Sequence, residues 1–224
     1  MENSVKTAVV TGISSGIGLA LTKKLLAEDY TVIGTTRSGQ LPGFDHPRLH
    51  VVPLEATDEQ SRTQAAARIQ SLTNGLDLLV NNAGTAPDVF AVEPAYAAFT
   101  QTLDTNVTGV VFFTELLLPH LRPGGQVVFV SSNMGLPRNA APNGPGYRLS
   151  KAAINMYAAM LATRLADQHI QVTPLHPGWV QTKLGGDQAP TTPEQAATGI
   201  YQAVVSGPET GQFYNVALAG VEPF

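Results

Sequence analysis

Two residues with acid–base capacity stand four apart, Tyr147 and Lys151. On a helix that spacing places both on one face. An ammonium beside a phenol favours the phenolate, so the Tyr147 pKa is expected to fall. A phenol titrating nearer neutrality can give or take a proton at a carbonyl or alcohol oxygen. Ser131 and Ser132 close an apolar run, Gln126 to Val130, that reads as a buried strand. A hydroxyl at the carboxyl end of that strand could hold the same oxygen. Taken singly, a packing tyrosine, a solvated lysine and a turn-forming serine are the ordinary roles of these residue types. Their order and their setting decide between the two readings.

The setting is a chain that alternates strands and helices. Val5 to Thr11 is a β-branched run leading into Gly12-Ile-Ser-Ser-Gly16-Ile-Gly18, and helical spacing follows over Leu19 to Glu28. Such glycines can mark a structural turn. Placed between a strand and a helix, they favour a nucleotide whose pyrophosphate approaches the backbone at the helix N-terminus. Tyr30 to Thr35 is a second strand. An acid at its end would take the ribose 2′-hydroxyl of NAD, whereas an Arg suits the 2′-phosphate of NADP. Thr35, Thr36, Arg37 and Ser38 hold no acid. NADP(H) is therefore favoured, against the plainer role of Arg37 as a solvated charge.

A third strand covers Leu49 to Leu54, and Asp58 caps a helix from Glu59 to about Leu72. Leu76 to Val80 is a fourth strand, running into Asn81-Asn82-Ala83-Gly84. Small residues there allow close approach of a ligand at the sheet's carboxyl edge. Ala95 to about Leu118 reads as one long helix with Asn106 in its middle. Asn is a poor helix-interior residue, and its common role there is to satisfy a neighbouring backbone group. Pro119 to Gly125 is a turn, and Asn133 to Gly146 a loop. Tyr147 to Gln168 is a helix, Ile170 to Leu175 a strand, Pro193 to Ser206 a helix and Gly211 to Val216 a last strand. The expected fold is α/β: a single-domain, Rossmann-type, doubly wound parallel sheet of about seven strands with helices on both faces. One domain should span 1–224, since no linker, repeat or composition shift divides it.

Composition narrows the function. The net charge of −4 and only 13 Lys and Arg residues give no support to a nucleic-acid partner. There is no cysteine, so no disulfide, thiolate metal site or Cys nucleophile. His46, His50, His120 and His169 show no metal spacing. His176 ends a strand before Pro177, where backbone anchoring or packing outweighs acid–base work. Asp77 reads as a cap or turn residue. No apolar run reaches the ~20 residues a membrane span needs. A cytoplasmic location is expected.

These motifs coincide with those of a known family. Thr11-Gly12-x-x-x-Gly16-x-Gly18, Asn81-Asn82-Ala83-Gly84, Asn106, Ser132, Tyr147-x-x-x-Lys151 and Pro177-Gly178 with Thr182 run in its order. The sequence resembles the short-chain dehydrogenases/reductases. The segments Tyr147 to Met156 and His176 to Thr182 are most similar to the carbonyl-reductase branch that includes the C-factor and sniffer-like proteins. The resemblance implies that Tyr147 is the general acid in reduction and the base in oxidation. Lys151 would lower its pKa and bind the nicotinamide ribose. Ser132 would bind the substrate oxygen, and Asn106 would hold a water linking Lys151 to solvent. Gly12, Ser14, Ser15, Gly16, Ile17, Gly18, Arg37, Glu55, Ala56, Asn82, Ala83 and Gly84 would line the cofactor. Pro177, Gly178, Val180 and Thr182 would orient its carboxamide, and 183–192 would form a flap over the substrate. A homodimer or homotetramer, joined through the helices at Ala95–Leu118 and Tyr147–Gln168, is implied by the same analogy.

Three features depart from the family pattern. Glu55 stands where Asp is usual at the adenine. The chain from Ser132 to Tyr147 is longer than usual. The flap is short, which implies an open pocket. The leading expectation is an NADPH-dependent reductase of a small-molecule carbonyl, reversible as an alcohol dehydrogenase. The alternatives are an NAD-linked alcohol dehydrogenase and a dinucleotide-binding regulatory or signalling protein with little catalysis.

Overall fold

Eight strands form one sheet. The structure is a computed structural model and describes residues 5–224. The strands are β1 (Thr7–Thr11), β2 (Thr31–Thr36), β3 (Leu49–Pro53), β4 (Leu76–Asn81), β5 (Leu121–Val130), β6 (Gln171–His176), β7 (Phe213–Asn215) and β8 (Gly220–Glu222). They lie in the order β3-β2-β1-β4-β5-β6-β7-β8. All pairs are parallel except β7 with β8. The Rossmann-type sheet is as expected, with one strand more. The short antiparallel β8 is too brief to write an alternating pattern into the sequence.

Helices cover both faces: α1 (Gly16–Ala27) and α6 (Pro193–Ser206) on one, α2 (Glu59–Leu72), α4 (Val110–Leu117) and α5 (Pro145–Arg164) on the other. Strand alternation supplies both cores. Val127 and Phe129 face Phe113, Leu117, Ile154 and Leu161, while Val128 faces the cluster of Leu21, Leu25 and Ile200. Each such side chain contributes roughly 1.5–3 kcal/mol on burial. Capping follows the sequence: Asp58 accepts from the Ser61 N–H, and Thr192 with Gln195 forms a reciprocal capping box.

Two expectations are corrected. The single helix over Ala95–Leu118 is interrupted. It runs as α3 (Tyr96–Leu103), a π turn over Asp104–Gly109, α4, and a 3₁₀ turn over Leu118–His120. A π turn takes up one extra residue without breaking the helix, and it does so around Asn106. Of the expected turn over Pro119–Gly125, Pro119 and His120 lie in that 3₁₀ turn and Leu121–Gly125 join β5, which pairs Leu121 with Leu76 and then jumps register to pair Gln126 with Leu78.

The sheet order reverses between β1 and β4. The chain winds outward through β2 and β3 on one side and through β5 to β8 on the other. Ligands bind open α/β sheets at such a switch point, beyond the carboxyl ends of the strands. Gly12 follows β1, Asn82 follows β4 and Ser132 follows β5, so all three motifs reach that edge.

Candidate active site

Tyr147 is the third residue of α5, whose start is set by Gly144 in the left-handed region (φ +70°) and by Pro145. Ser132 lies two residues beyond β5, and its hydroxyl accepts from the Met134 N–H at 3.1 Å. Both side chains are buried. Burial pushes the Tyr147 phenol upward, and its hydrogen bond with Ser132 acts in the opposite direction. This corrects the expected fall. Lys151 does share the helix face with Tyr147, at 5.5 Å from the ring centroid. Its ammonium, however, donates to the carbonyl of Val130 at 2.8 Å. Burial also brings Lys151 down to about 8, which weakens its hold on the charge that was to stabilise a phenolate.

Asn106 is buried inside the π turn and spends its amide on neighbours. Its Oδ1 accepts from the Thr85 N–H at 2.8 Å, and its Nδ2 donates to the Thr85 carbonyl at 2.8 Å and to Ser150 Oγ at 3.1 Å. Ser150 Oγ in turn donates to the Tyr147 carbonyl at 2.7 Å. The ordinary role of a helix-interior Asn is thus present, and it joins the loop after β4 to the first turn of α5. A Cβ on Gly84 would stand 3.2 Å from Asn106 Oδ1 and 3.9 Å from Lys151 Nζ. The small residue therefore keeps the space between these two groups clear.

The residues around the glycine loop fit a dinucleotide. A Cβ at Gly18 would meet the Gly12 carbonyl at 2.3 Å and Asn82 Nδ2 at 2.5 Å. Asn82 Nδ2 holds the loop by donating to the carbonyls of Thr11 (2.9 Å) and Gly12 (3.3 Å). The N-terminus of α1 has no side-chain cap and no acid in its first turn, and Ser14 and Ser15 are exposed. Uncapped N–H groups with the helix dipole behind them suit a phosphate. Arg37 is exposed just past β2, and among the described residues no carboxylate pairs with it. Glu55 is turned to a local contact, its Oε1 accepting from Thr57 Oγ1 at 3.0 Å.

Residues 6–192 match the family model described as "short chain dehydrogenase". This chain belongs to that family. A Haemophilus influenzae protein named "Probable NADP-dependent dehydrogenase" is 37% identical over 182 residues, covering 77% of this chain and 70% of the relative. The carbonyl reductase Sniffer of D. melanogaster superposes with a TM-score of 0.90 at 26% identity, over 98% of this chain and all of that one. An NADPH-bound carbonyl reductase from chicken fatty liver gives 0.88 at 28% identity, over 98% and 94%. The short-chain dehydrogenase described here is accordingly an NAD(P)-dependent oxidoreductase.

In this short-chain dehydrogenase the segment after β6 closes on itself. Thr191 N–H donates to the Trp179 carbonyl (3.3 Å), Gln181 N–H to the Thr191 carbonyl (2.9 Å) and Trp179 Nε1 to the Gly185 carbonyl (2.8 Å). Its base rests on the glycine loop, because a Cβ at Gly16 would meet Thr182 Cγ2 at 3.1 Å. The His176 carbonyl accepts from the Val216 N–H at 3.0 Å, and its imidazole Nδ1 is buried with no hydrogen-bond partner among the described residues. Its imidazole is pushed down to about 4 by burial, with Glu222 opposing. Asp77 accepts from the Thr7 N–H (2.7 Å) and pairs with Arg122 (2.6 Å), which is structural work. Among the described residues no cluster of His, Asp or Glu could hold a metal, and no helix is long and apolar enough to cross a membrane.

Sequence reasoning passed over two charged residues here. Asp88 is buried and accepts from the Gly146 N–H at the start of α5. Arg148 stands next to Tyr147 and binds backbone carbonyls. Their only sequence signal was a charge inside an otherwise small-residue or motif-bearing segment, which composition does not separate from a solvated one.

Proposed function

We propose that this chain reduces a small-molecule carbonyl to an alcohol, reversibly, with NADPH favoured over NADH. The observation that carries the reading is the meeting of Ser132, Tyr147 and Lys151 at the carboxyl edge of the sheet, beside an uncapped glycine-loop helix. The dinucleotide, when bound, supplies the hydride. The chain's own groups do the rest. Gly12 and Gly18 allow close approach to the pyrophosphate, the Gly12 N–H itself being spent on the Thr35 carbonyl, and Ser14, Ser15, Gly16 and Ile17 offer N–H groups at the start of α1. Arg37 faces the 2′-phosphate, and Ala56, Asn82, Ala83 and Gly84 flank the adenosine and ribose side. The Glu55 carboxylate would have to leave Thr57 to reach the adenine. Pro177, Gly178, Val180 and Thr182 orient the carboxamide end, with 183–192 over the substrate.

As hydride arrives, negative charge grows on the substrate oxygen, and the Ser132 and Tyr147 hydroxyls stabilise it. Tyr147 then gives up its proton. A phenol raised by burial keeps its proton at neutral pH, so Tyr147 holds the proton that reduction consumes. Lys151 holds the ribose and steadies the phenolate that results. Asn106 has one Oδ1 lone pair left for a water beside Lys151, since its other positions are taken by Thr85 and Ser150. The chicken reductase is NADPH-bound and the Haemophilus relative is named for NADP, which supports the cofactor preference. Self-association belongs to the same reading: Phe112 of α4 and Met156 and Met160 of α5 are 55%, 64% and 62% exposed.

The test is a titration with NADPH and, separately, NADH, followed by fluorescence of Trp179, the only tryptophan. NADPH consumption with a panel of aldehydes and ketones comes next. Saturation at lower NADPH than NADH, with turnover of at least one carbonyl, is expected. Tight binding without turnover of any carbonyl or alcohol would leave a dinucleotide-binding protein and sink the reductase reading.

A further inference from the structure

The turn of α5 that carries Tyr147 also carries Arg148, and among the described residues that guanidinium has no carboxylate partner. It binds the loop instead. Nε donates to the Asn143 carbonyl at 2.7 Å, Nη1 to the Asn139 carbonyl at 2.8 Å and to the Met134 carbonyl at 3.3 Å, and Nη2 to Asn143 Oδ1 at 3.2 Å. These acceptors lie near the start, the middle and the end of the chain that joins Ser132 to Tyr147. A guanidinium is a rigid fork of five N–H donors and can join several carbonyls at once. The loop's other bonds are local, Asn139 Nδ2 donating to the Asn133 carbonyl at 2.9 Å, or tie its middle outward, Arg138 pairing with Glu222 at 3.1 Å. The loop contains two 3₁₀ turns, Asn133–Gly135 and Pro137–Asn139, and such short turns are weakly bonded.

Three other contacts complete the clamp. Asn143 Nδ2 donates to the Val89 carbonyl at 2.8 Å and Gly144 N–H to the Ala91 carbonyl at 2.8 Å, so the far end is fixed to the segment after β4. At the near end Gly135 lies against α5: a Cβ there would stand 2.6 Å from the Lys151 carbonyl carbon. The two hydroxyls that would hold a substrate oxygen stand at the two ends of this loop, on Ser132 and Tyr147.

We propose that Arg148 is a positioning residue that presets the Ser132–Tyr147 loop as a fixed wall of the substrate pocket; this rests on the reductase reading given above. The extra length of this loop then costs little on binding, because the guanidinium orders it beforehand. Without the fork, substrate must order the loop itself. The penalty falls on substrate binding and spares the dinucleotide, because the Arg148 bonds go to Met134, Asn139 and Asn143 and none to the glycine loop after β1.

The experiment uses the full chain with NADPH and the best carbonyl of the panel, comparing wild type with Arg148→Ala and Arg148→Lys. Amide hydrogen exchange over 133–144 should quicken about tenfold in Arg148→Ala, with β1 and β4 unchanged. The carbonyl KM should rise about tenfold while the NADPH Kd stays within about twofold. Arg148→Lys keeps the charge and loses the fork, so it should recover only a small part of both effects. Unchanged exchange in the loop overturns the proposal. So does a carbonyl KM that stays level once protection is lost, or an NADPH Kd that rises in step with it. If Arg148→Ala fails to fold, Arg148→Lys is judged by the same measurements. A wild type that turns over no carbonyl defeats the reductase reading instead, and the exchange data still decide whether Arg148 orders the loop.

Discussion

Lys151 Nζ stands 5.5 Å from the centre of the Tyr147 ring while donating to the carbonyl of Val130 at 2.8 Å. The cation therefore fastens the face of α5 that carries Tyr147 to the end of β5, two residues before Ser132. The helix and the strand that present the two hydroxyls are tied by the group that is to serve both. Burial acts on the pair in opposite directions along the pH scale, raising the phenol and bringing the ammonium to about 8. In each case the neutral form is favoured.

Removal of the phenolic hydroxyl tests the proton donor. Tyr147→Phe keeps the ring in its buried position and removes one polar atom. Carbonyl reduction should fall by roughly 10²–10⁴-fold, the usual weight of a positioned acid. NADPH affinity, measured by the Trp179 titration, should stay within about twofold. Near-wild-type turnover in this variant would remove Tyr147 from the chemistry.

Lys151 makes a prediction about stability that needs no substrate. The unfolded chain keeps the Lys proton up to its ordinary pKa of 10.5, whereas the folded chain releases it near 8. Between those values the unfolded state binds more protons, so this group's contribution to stability rises with pH. Below about 8 the full cost of burying the charge is present. Lys151→Met removes the titration. In urea unfolding of the unliganded protein, wild type should gain on the variant by roughly 2–3 kcal/mol between pH 7 and pH 10.5. A difference that is level across that range would mean Lys151 is solvated in the folded state.

Much of this site is legible in the sequence because backbone chemistry writes it there. Gly12, Gly16 and Gly18 stand where a side chain would strike backbone or a neighbour, and the strand-to-helix context makes their spacing meaningful. The Tyr147 and Lys151 pairing follows from helix periodicity alone. The Tyr147 pKa does not, because spacing gives the distance to a charge and says nothing of how much solvent the fold removes. The π turn at Asn106 is hidden for a similar reason. Its bonds go to Thr85 and Ser150, distant in sequence, and a local pattern over 95–118 records only an apolar helix. The roles of Asp88 and Arg148 are tertiary in the same sense, since each binds backbone on a segment it does not adjoin in a regular element.

The proposed cofactor preference rests on one side chain just past β2. Arg37 is exposed and unpaired among the described residues, and Thr36 beside it is buried with its hydroxyl on the Gln40 carbonyl at 3.1 Å. Arg37→Glu replaces a guanidinium fork with a charge of the same sign as a phosphate. NADPH affinity should drop by about 10- to 100-fold and NADH should change by less than about threefold. Equal effects on both would show that Arg37 does not face the 2′-phosphate.

The last prediction separates scaffold from chemistry at Asn106. Asn106→Ala leaves both the N–H and the carbonyl of Thr85 without their side-chain partner, in a buried site. Each such group costs about 1–3 kcal/mol, so a loss of roughly 2–4 kcal/mol and a Tm lowered by about 5–15 °C are expected. Asn106→Asp is the sharper probe. Its carboxylate can still accept from the Thr85 N–H, but it faces the Thr85 carbonyl and Ser150 Oγ with no proton to offer. Burial will raise the pKa of that carboxyl above its unfolded value of about 3.9. A raised acid is least harmful when protonated, so this variant should lie nearest wild type at about pH 4 and fall behind as pH rises to neutrality. Thermal unfolding across that range checks the sign. If Asn106→Asp matches wild type at pH 7, the Thr85 carbonyl does not depend on the amide, and the π turn must be held by other contacts.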